Sequence, residues 1–265
     1  MNKPKLNVPT VRLFGIPIHA VTMTAALDII DGVIARREHM QIGVVNAAKV
    51  VNMRRHPALG EDVLSSDFIL ADGIAVVWAS RLLRRPLPER VTGIDLMMGM
   101  LRRGNQHRYR IYCLGATEAV SAKVAERIAA DYPNVVLAGR HHGYFTDAEE
   151  PGIAEAIAAA RPDILLVAMT SPKKEKFLAR WSERIGASIC HGVGGSFDVL
   201  AGKVRRAPES WQRLGLEWLY RLKQEPGRMW RRYLITNTLF CWLLCGELWR
   251  QLRRGPEPSM SRGAK

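Results

Sequence analysis

The sequence predicts an α/β fold: a Rossmann-like, mostly parallel sheet with helices on both faces. Two observations support this prediction. Short apolar runs of strand length alternate with longer stretches of helical periodicity along most of the chain. The 265 residues, of which 48% are hydrophobic, also suffice for one large domain with an appendage. Strands and helices that alternate at this spacing are typical of parallel sheets covered on both sides.

The predicted strands are short apolar runs that are bounded by turn-forming or polar residues. They span residues 11–17, 41–45, 68–71, 109–114, 135–138, 163–169 and 187–193. The run at 163–169 is the most strand-like, because it is apolar almost throughout. Its composition predicts a central strand that is buried on both faces.

Helix starts are marked between these runs by hydroxyl side chains and by proline. Thr22 and Thr92 are suitable N-caps for the helical patterns that follow them. Pro57 begins a short helix, and a turn over residues 115–117 precedes a helix over residues 118–132. Helical segments therefore lie between successive predicted strands.

Charge and aromatic content divide the chain into three parts. We expect a Rossmann-like catalytic domain over residues 1–202, a basic, aromatic-rich helical appendage over 203–254, and a disordered tail over 255–265. The net charge of the chain is +14, and residues 203–265 carry fourteen Lys and Arg against five Asp and Glu. Five of the seven tryptophans also lie there. Such a surface suits nucleic acid, an anionic membrane or a phosphorylated substrate.

The appendage contains a strongly apolar segment over residues 233–249. It is shorter than the roughly 20 residues that a membrane-spanning helix needs, and it contains Asn237 and Glu247. With arginines on both sides, it predicts a helix that lies on an anionic membrane surface. The alternative is a helix that packs on its own domain or on a neighbouring subunit.

The four cysteines show no C-x-x-C spacing, and the first residues have no apolar signal-peptide core. Both observations favour a reducing cytosol. Cys241 and Cys245 share a helical face, but no histidine or further cysteine surrounds them in the sequence, so ordinary packing is favoured over a metal site.

Asp72 is the first candidate for catalysis. It follows the apolar run 68–71, and Gly73 and a helical pattern come directly after it. Asp72 is therefore expected at the carboxyl end of a strand, where open α/β sheets bind their ligands. The alternative is that Asp72 merely caps the following helix.

Phosphate-binding motifs are weak in this sequence. Neither a P-loop nor a complete dinucleotide fingerprint is present, so we expect no nucleotide cofactor. Glycine turns that could admit a phosphate occur at Gly115 and at Gly194 and Gly195, although such turns more often serve helix packing. No Asp-x-Asp motif is present to hold a metal and a diphosphate. Arginines are the natural substitute, because their planar guanidinium pairs bidentately with phosphate.

Two further positions are open to a structural or a functional interpretation. His191 lies in a strand that we expect to be buried, and a satisfied core histidine is favoured there over a ligand. The run 171–175, which contains Lys174, follows the strongest strand and is expected to project over the carboxyl edge of the sheet. A solvated helix start is the alternative for this run.

Taken together, these motifs resemble the WecG/TagA/CpsF family of bacterial glycosyltransferases, glycosyltransferase family 26. The similarity runs in order over most of residues 11–233. It rests on Asn46, Ala71-Asp72-Gly73, Val91-Thr92-Gly93, Gly143-Tyr144-Phe145, Ser171-Pro172-Lys173-Lys174-Glu175, the segment 192–198, Arg206-Ala207-Pro208, and the segments 216–221 and 225–233.

The resemblance implies an inverting, metal-independent transfer of a sugar from a UDP-sugar to a polyprenyl-diphosphate-linked saccharide. The enzyme would act peripherally at the cytoplasmic face of the plasma membrane, in cell-surface polysaccharide assembly. Asp72 corresponds to the proposed general base of the family, and Asn46 lies in the same catalytic group. The substrate-binding residues that the resemblance and the motifs imply are Thr92, Gly115, Lys174, Gly194, Gly195, Arg221, Arg228 and Arg231.

The sequence departs from the family pattern at two positions. Val44 stands two residues before Asn46, where a threonine is common, and Lys174 stands where a glutamine is common. These departures leave the donor sugar open among N-acetylmannosamine, its uronic acid and glucose.

The alternative function is a nucleic-acid-binding module with an Arg/Trp-rich tail. We expect no nucleic-acid partner, because the apolar faces of the tail are those of a helix that buries or inserts, and no recognition motif is present. A homo-oligomer is possible, since the apolar tail could seal the site within one chain or at an interface.

Overall fold

The protein is an α/β structure built on one six-stranded parallel sheet. This computed structural model describes residues 3–254, apart from the side chains of Arg213, Arg228, Met229, Arg232 and Arg254. The predicted tail, 255–265, lies outside the described residues. The parallel sheet and the helices around it confirm the predicted fold class.

The strands are β1 (Thr10–Leu13), β2 (Ile16–His19), β3 (Met40–Val45), β4 (Phe68–Ala71), β5 (Arg110–Gly115), β6 (Val136–His141), β7 (Ile164–Ala168) and β8 (Ile189–Gly192). The large sheet has the order β4-β3-β8-β7-β5-β6. Its strands match the six later predicted runs.

The helices are α1 (Met23–Ala35), α2 (Ala47–Arg55), α3 (Pro57–Leu64), α4 (Ile74–Leu82), α5 (Gly93–His107), α6 (Glu118–Asp131), α7 (Glu150–Ala160), α8 (Lys173–Ile185), α9 (Ser196–Leu200), α10 (Glu209–Arg213), α11 (Glu217–Gln224) and α12 (Pro226–Arg254). Helices begin where the sequence indicated. Thr22 caps α1 and Thr92 caps α5, each by accepting a hydrogen bond from the backbone of the first turn.

The predicted first strand, residues 11–17, is wrong in one respect. That segment is an antiparallel hairpin, β1 and β2, which is separate from the large sheet. Phe14 and Gly15 form its two-residue turn with φ of 53° and 83°. Two successive positive φ values match the hairpin turn whose twist suits the flanking strands, so one apolar run folds into two short strands.

Both faces of the sheet are buried, as the apolar strands predict. In β7, Leu166 packs in the core on one face, while Leu165 and Val167 pack in the core on the other. Successive side chains of a strand point to opposite faces. A strand that is apolar at every position is therefore covered on both sides.

The C-terminal helix α12 packs on the α/β part of the chain through one of its faces. Phe240 is buried, and its ring centroid lies 5.2 Å from that of Phe14 in the hairpin turn. Its other face exposes several large apolar side chains, namely Trp230, Leu234, Ile235, Trp242, Trp249 and Leu252. Packing on the domain, the alternative considered for this segment, is thus part of the structure. Within residues 3–254, no helix combines the length and apolar character needed to cross a membrane.

Candidate active site

The candidate active site lies at the carboxyl edge of the parallel sheet. Because all six strands run in one direction, their carboxyl ends meet at one edge. Asn46 follows β3, Asp72 follows β4, and the loop with Gly194 and Gly195 follows β8. Strands β3 and β8 are neighbours, and β4 flanks β3. The strand order therefore brings these three segments side by side.

Asp72 is half-buried and is held on both carboxylate oxygens. Its Oδ1 accepts a hydrogen bond of 2.8 Å from the backbone N–H of Gly93, the first residue of α5. Its Oδ2 accepts one of 3.2 Å from the side-chain amide of Asn46. The carboxylate thus lies at the positive end of the α5 dipole, which favours negative charge.

The N-cap of α4 is Gly73, without a side-chain hydrogen bond. The helix-cap interpretation of Asp72 is therefore wrong for the helix that follows it in sequence. Asp72 instead contacts the start of a helix that begins 21 residues later.

Asn46 has two roles in one side chain. Its Oδ1 accepts a hydrogen bond of 3.0 Å from the backbone N–H of Lys49, which caps α2. Its amide nitrogen donates to Asp72. Because the cap fixes the oxygen, the amide nitrogen is left to face the carboxylate. A Cβ added at Gly73 would lie 2.8 Å from the Cβ of Asn46, so the close approach of the two strand ends needs a glycine there.

His191 contacts Gly93, the residue whose backbone N–H holds Asp72. It is fully buried in β8, and its Nε2 donates to the carbonyl of Gly93 over 3.2 Å. Burial lowers the pKa of His191 to about 4, so the imidazole is neutral near pH 7. His191 is a buried core residue, as favoured from the sequence, but only its Nε2 is satisfied, since its Nδ1 is buried without a hydrogen-bond partner among the described residues. The contact of Nε2 fixes Gly93, whose amide holds Asp72.

A cluster of opposite charges lies beside this group. Lys49 Nζ contacts Glu175 Oε1, and Lys174 Nζ lies 3.4 Å from the same oxygen. Burial, followed by the nearby Lys174, lowers the pKa of Lys49. Burial alone would raise the pKa of Glu175, but the charges of Lys174 and Lys49 outweigh it and lower that pKa. The run 171–175 is therefore partly buried at the sheet edge and is not a fully solvated helix start.

The two glycine turns differ in what surrounds them. At Gly115, φ is +126° and an added Cβ would overlap the backbone of Ala168. The N–H of Ala116 already donates to the Ala168 carbonyl over 2.9 Å, so this turn serves strand packing. At Gly195, by contrast, an added Cβ would meet nothing within 4 Å. The Gly194–Gly195 loop is thus the more open of the two.

Thr92 connects the site to the appendage. Its buried hydroxyl donates to Asp95 over 2.6 Å, and Asp95 pairs with Arg206 over 2.6 Å. Glu217 of α11 joins Arg206 over 3.4 Å and Arg90 over 2.5 Å. A network of ion pairs therefore joins the start of α5 to the start of the appendage.

The structure describes the side chains of two of the three predicted C-terminal arginines, Arg221 and Arg231. Arg221 lines a shallow pocket with Arg206, Glu217 and Ile94 of α5, whereas Arg231 is exposed on α12. Among the described side chains, neither Arg221 nor Arg231 forms a hydrogen bond or ion pair with Asp72 or Asn46. The side chain of Arg228 lies outside the described part.

Sequence reasoning missed the parts played by Lys49 and Gly93. Lys49 lies three residues after Asn46 on the first turn of α2, a spacing that puts both near one sheet edge. This spacing is the one local signal for Lys49. For Gly93, the Thr92 cap predicted the helix start but not its carboxylate partner. Across residues 3–254, we find no group of three or more His, Cys, Asp or Glu side chains that could hold a metal ion.

Comparison with known proteins identifies the family of the chain. The family model described as "Glycosyl transferase WecG/TagA/CpsF family" matches residues 11–254. Two relatives bear the name N-acetylglucosaminyldiphosphoundecaprenol N-acetyl-beta-D-mannosaminyltransferase. The protein of Bacillus spizizenii is 43% identical over 175 residues, which are 66% of this chain and 67% of the relative. The protein of Bacillus subtilis is 42% identical over 174 residues, 65% and 67% of the two chains.

Proposed function

The chain belongs to the WecG/TagA/CpsF family of glycosyltransferases, and we propose that it moves a sugar from a UDP-sugar to a polyprenyl-diphosphate-linked saccharide with inversion and without a metal ion. The observation that carries the proposal is the carboxylate of Asp72, held at a strand end by Asn46 and Gly93.

Asp72 acts as the general base in this proposal. The acceptor hydroxyl attacks the anomeric carbon of the donor as its proton passes to the carboxylate, and the bond to UDP breaks. A single displacement from the face opposite UDP inverts the configuration. Both hydrogen bonds to Asp72 restrict the carboxylate to one orientation, which is the positioning that proton transfer needs.

Cationic side chains neutralise the departing diphosphate. Arg221, Arg228 and Arg231 supply guanidinium groups from the appendage, and Lys174 supplies an ammonium beside the open Gly194–Gly195 loop. The network through Arg206 and Glu217 holds the start of α11 against α5.

The names of the relatives indicate the first substrates to test. They specify an N-acetyl-β-D-mannosaminyl group and an N-acetylglucosaminyl-diphosphoundecaprenol acceptor. A β-linked product from an α-linked UDP-sugar corresponds to inversion. Thr92 and Gly115 serve the site by position, since they fix α5 and the turn before α6.

A lipid-linked acceptor requires contact with a membrane surface. The exposed face of α12 carries Trp242 and Leu252, which are 72% and 82% exposed. Flanking arginines complement anionic lipid headgroups. We therefore place the enzyme peripherally on the cytoplasmic face of the plasma membrane, with α12 as its contact.

The test is a donor and acceptor panel. Purified protein with vesicles is incubated with UDP-N-acetylmannosamine, its uronic acid or UDP-glucose, with and without N-acetylglucosaminyl-diphosphoundecaprenol, and UDP release is measured with and without EDTA. We expect acceptor-dependent, EDTA-resistant release from one donor. Absence of release from every donor, together with absence of UDP binding, would reject the proposal.

A further inference from the structure

We propose that Lys49 is a positioning residue that neutralises Glu175 and so keeps the charge of Lys174 available for an anionic group of the donor. This inference rests on the proposed function and deepens it. The anionic group is a phosphate of UDP or the carboxylate of a uronic-acid sugar, which present the same oxygen chemistry to an ammonium.

The Lys49–Glu175 pair is almost completely buried. The side chains of Lys49 and Glu175 are 10% and 8% exposed, although 126 residues separate them in sequence. Lys49 Nζ also lies 3.4 Å from the hydroxyl of Ser171. A buried carboxylate without a cation costs roughly several kcal/mol of folding free energy. Glu175 therefore pairs with the nearest ammonium. That partner is Lys49.

Lys174 is the second cation on the same carboxylate. It lies 3.4 Å from Glu175 Oε1, the oxygen that Lys49 already contacts. Within this trio, two lysines and one glutamate leave a net charge of +1, and the carboxylate of Asp72 lies close enough to act on the charge of Lys49. Because Lys49 compensates Glu175, the surplus charge resides on Lys174.

The ammonium of Lys174 faces the open glycine loop. Its side chain runs along Gly192, where an added Cβ would lie 2.8 Å from Lys174 Cδ. Its Nζ lies 3.7 Å from the Cβ position of Gly194, and beyond it Gly195 is open. The second positive charge of the trio thus lies beside the more open of the two glycine turns.

Removal of Lys49 alone should redirect this charge. In Lys49→Met, Glu175 retains Lys174 as its near cation, and the two should pair more tightly, which withdraws the ammonium from the donor. In the double variant Lys49→Met/Glu175→Met, the buried pair becomes two apolar side chains of similar length. Such replacements are often tolerated, and they should release Lys174 again.

The experiment is a mutant cycle read as donor KM, kcat and UDP affinity by calorimetry. Lys174→Gln is introduced into the wild type, into Lys49→Met and into Lys49→Met/Glu175→Met. We expect Lys174→Gln to weaken donor binding about tenfold in the first and third backgrounds, and less than about twofold in Lys49→Met. Lys49→Met alone should raise KM about tenfold while kcat changes much less, a split that a merely structural role would not produce.

Comparison of UDP with neutral and acidic UDP-sugars identifies the anionic group that Lys174 contacts. Weaker binding of UDP itself by Lys174→Gln indicates a phosphate. Unchanged UDP affinity with lost preference for a UDP-uronic acid over its neutral counterpart indicates the carboxylate. An equal effect of Lys174→Gln in all three backgrounds, or none in any, overturns the inference.

Folding is monitored by thermal unfolding of each variant. If Lys49→Met does not fold, Glu175→Gln is used as the background in its place. We then expect Lys174→Gln to weaken donor binding in that background at least as much as in the wild type. A smaller cost there overturns the inference. If the wild type is active but Lys174→Gln has the same effect in every background, only the inference is rejected. If the wild type is inactive and does not bind UDP, the proposed function is rejected.

Discussion

The side-chain amide of Asn46 donates a 3.2 Å hydrogen bond to the carboxylate of Asp72 across the ends of two adjacent parallel strands. One side chain caps a helix through its oxygen and orients the candidate base through its amide nitrogen, so local stability and catalysis depend on the same residue. The first three predictions test this pair.

Replacement of Asp72 by asparagine should abolish the base while keeping the shape of the site. Asparagine can still accept the hydrogen bond from Gly93 through its oxygen. We expect kcat to fall about 100- to 10,000-fold, the range typical of a lost general base, with UDP affinity retained. UDP release and calorimetry measure the two quantities. Retained turnover would remove Asp72 from the mechanism.

Replacement of Asn46 by aspartate should separate its two roles. The new carboxylate can still cap α2, so the change of cap should alter stability by less than about 1 kcal/mol. It also places a second negative charge beside Asp72. Repulsion between two close carboxylates raises the pKa of one of them. We expect lower activity and an acid limb of the pH–rate profile that moves to higher pH. Asn46→Ala is the comparison that removes the cap as well.

Replacement of Gly73 by alanine should displace Asn46, because the new Cβ would lie 2.8 Å from the Asn46 Cβ. The backbone of Gly73, with φ of −112°, tolerates a side chain, so the effect is steric. We expect kcat to fall about tenfold or more through misplacement of the base. Gly152→Ala is the matched control, since a Cβ there meets nothing within 4 Å. Being helical, that variant should gain about 0.5 kcal/mol and keep full activity.

His191 should make the protein acid-sensitive. Its pKa in the folded state is about 4, below the value of 6.5 of a histidine side chain in water. Between these values the unfolded state binds the proton more readily, so stability present above pH 6.5 is lost as the pH falls toward 4. The loss from this residue at pH 5 is on the order of 2 kcal/mol. Urea unfolding at pH 7 and pH 5 should show a smaller difference for His191→Gln. Equal differences in both proteins would contradict the assignment.

The two faces of α12 should separate stability from membrane binding. Phe240→Ala removes a buried ring that contacts Phe14 and should cost about 3 kcal/mol. Trp242→Ser, on the exposed face, should change stability by less than about 0.5 kcal/mol. It should weaken sedimentation with anionic vesicles about tenfold. If Trp242→Ser binds vesicles as well as the wild type does, the exposed face of α12 is not the membrane-binding surface.

Much of the fold could be predicted because it depends on local pattern. The apolar run of β7 predicted a strand buried on both faces, and Thr22 and Thr92 marked helix starts through short-range hydrogen bonds. The hairpin at Phe14 and Gly15 was missed, since a continuous apolar run does not reveal a two-residue turn without a typical turn sequence.

The sequence by itself determined the α/β class, the family resemblance and the position of Asp72 at a strand end. The class and the strand end follow from residue order and periodicity, and the resemblance follows from the individual motifs that match the family. Tertiary structure alone decided that Asp72 contacts Gly93, that Lys49 pairs with Glu175, and that α12 buries one face. The physical reason is that these contacts join segments far apart in sequence, and strand order brings them together. Local propensity sets which elements form, but burial of the whole sheet sets which elements become neighbours.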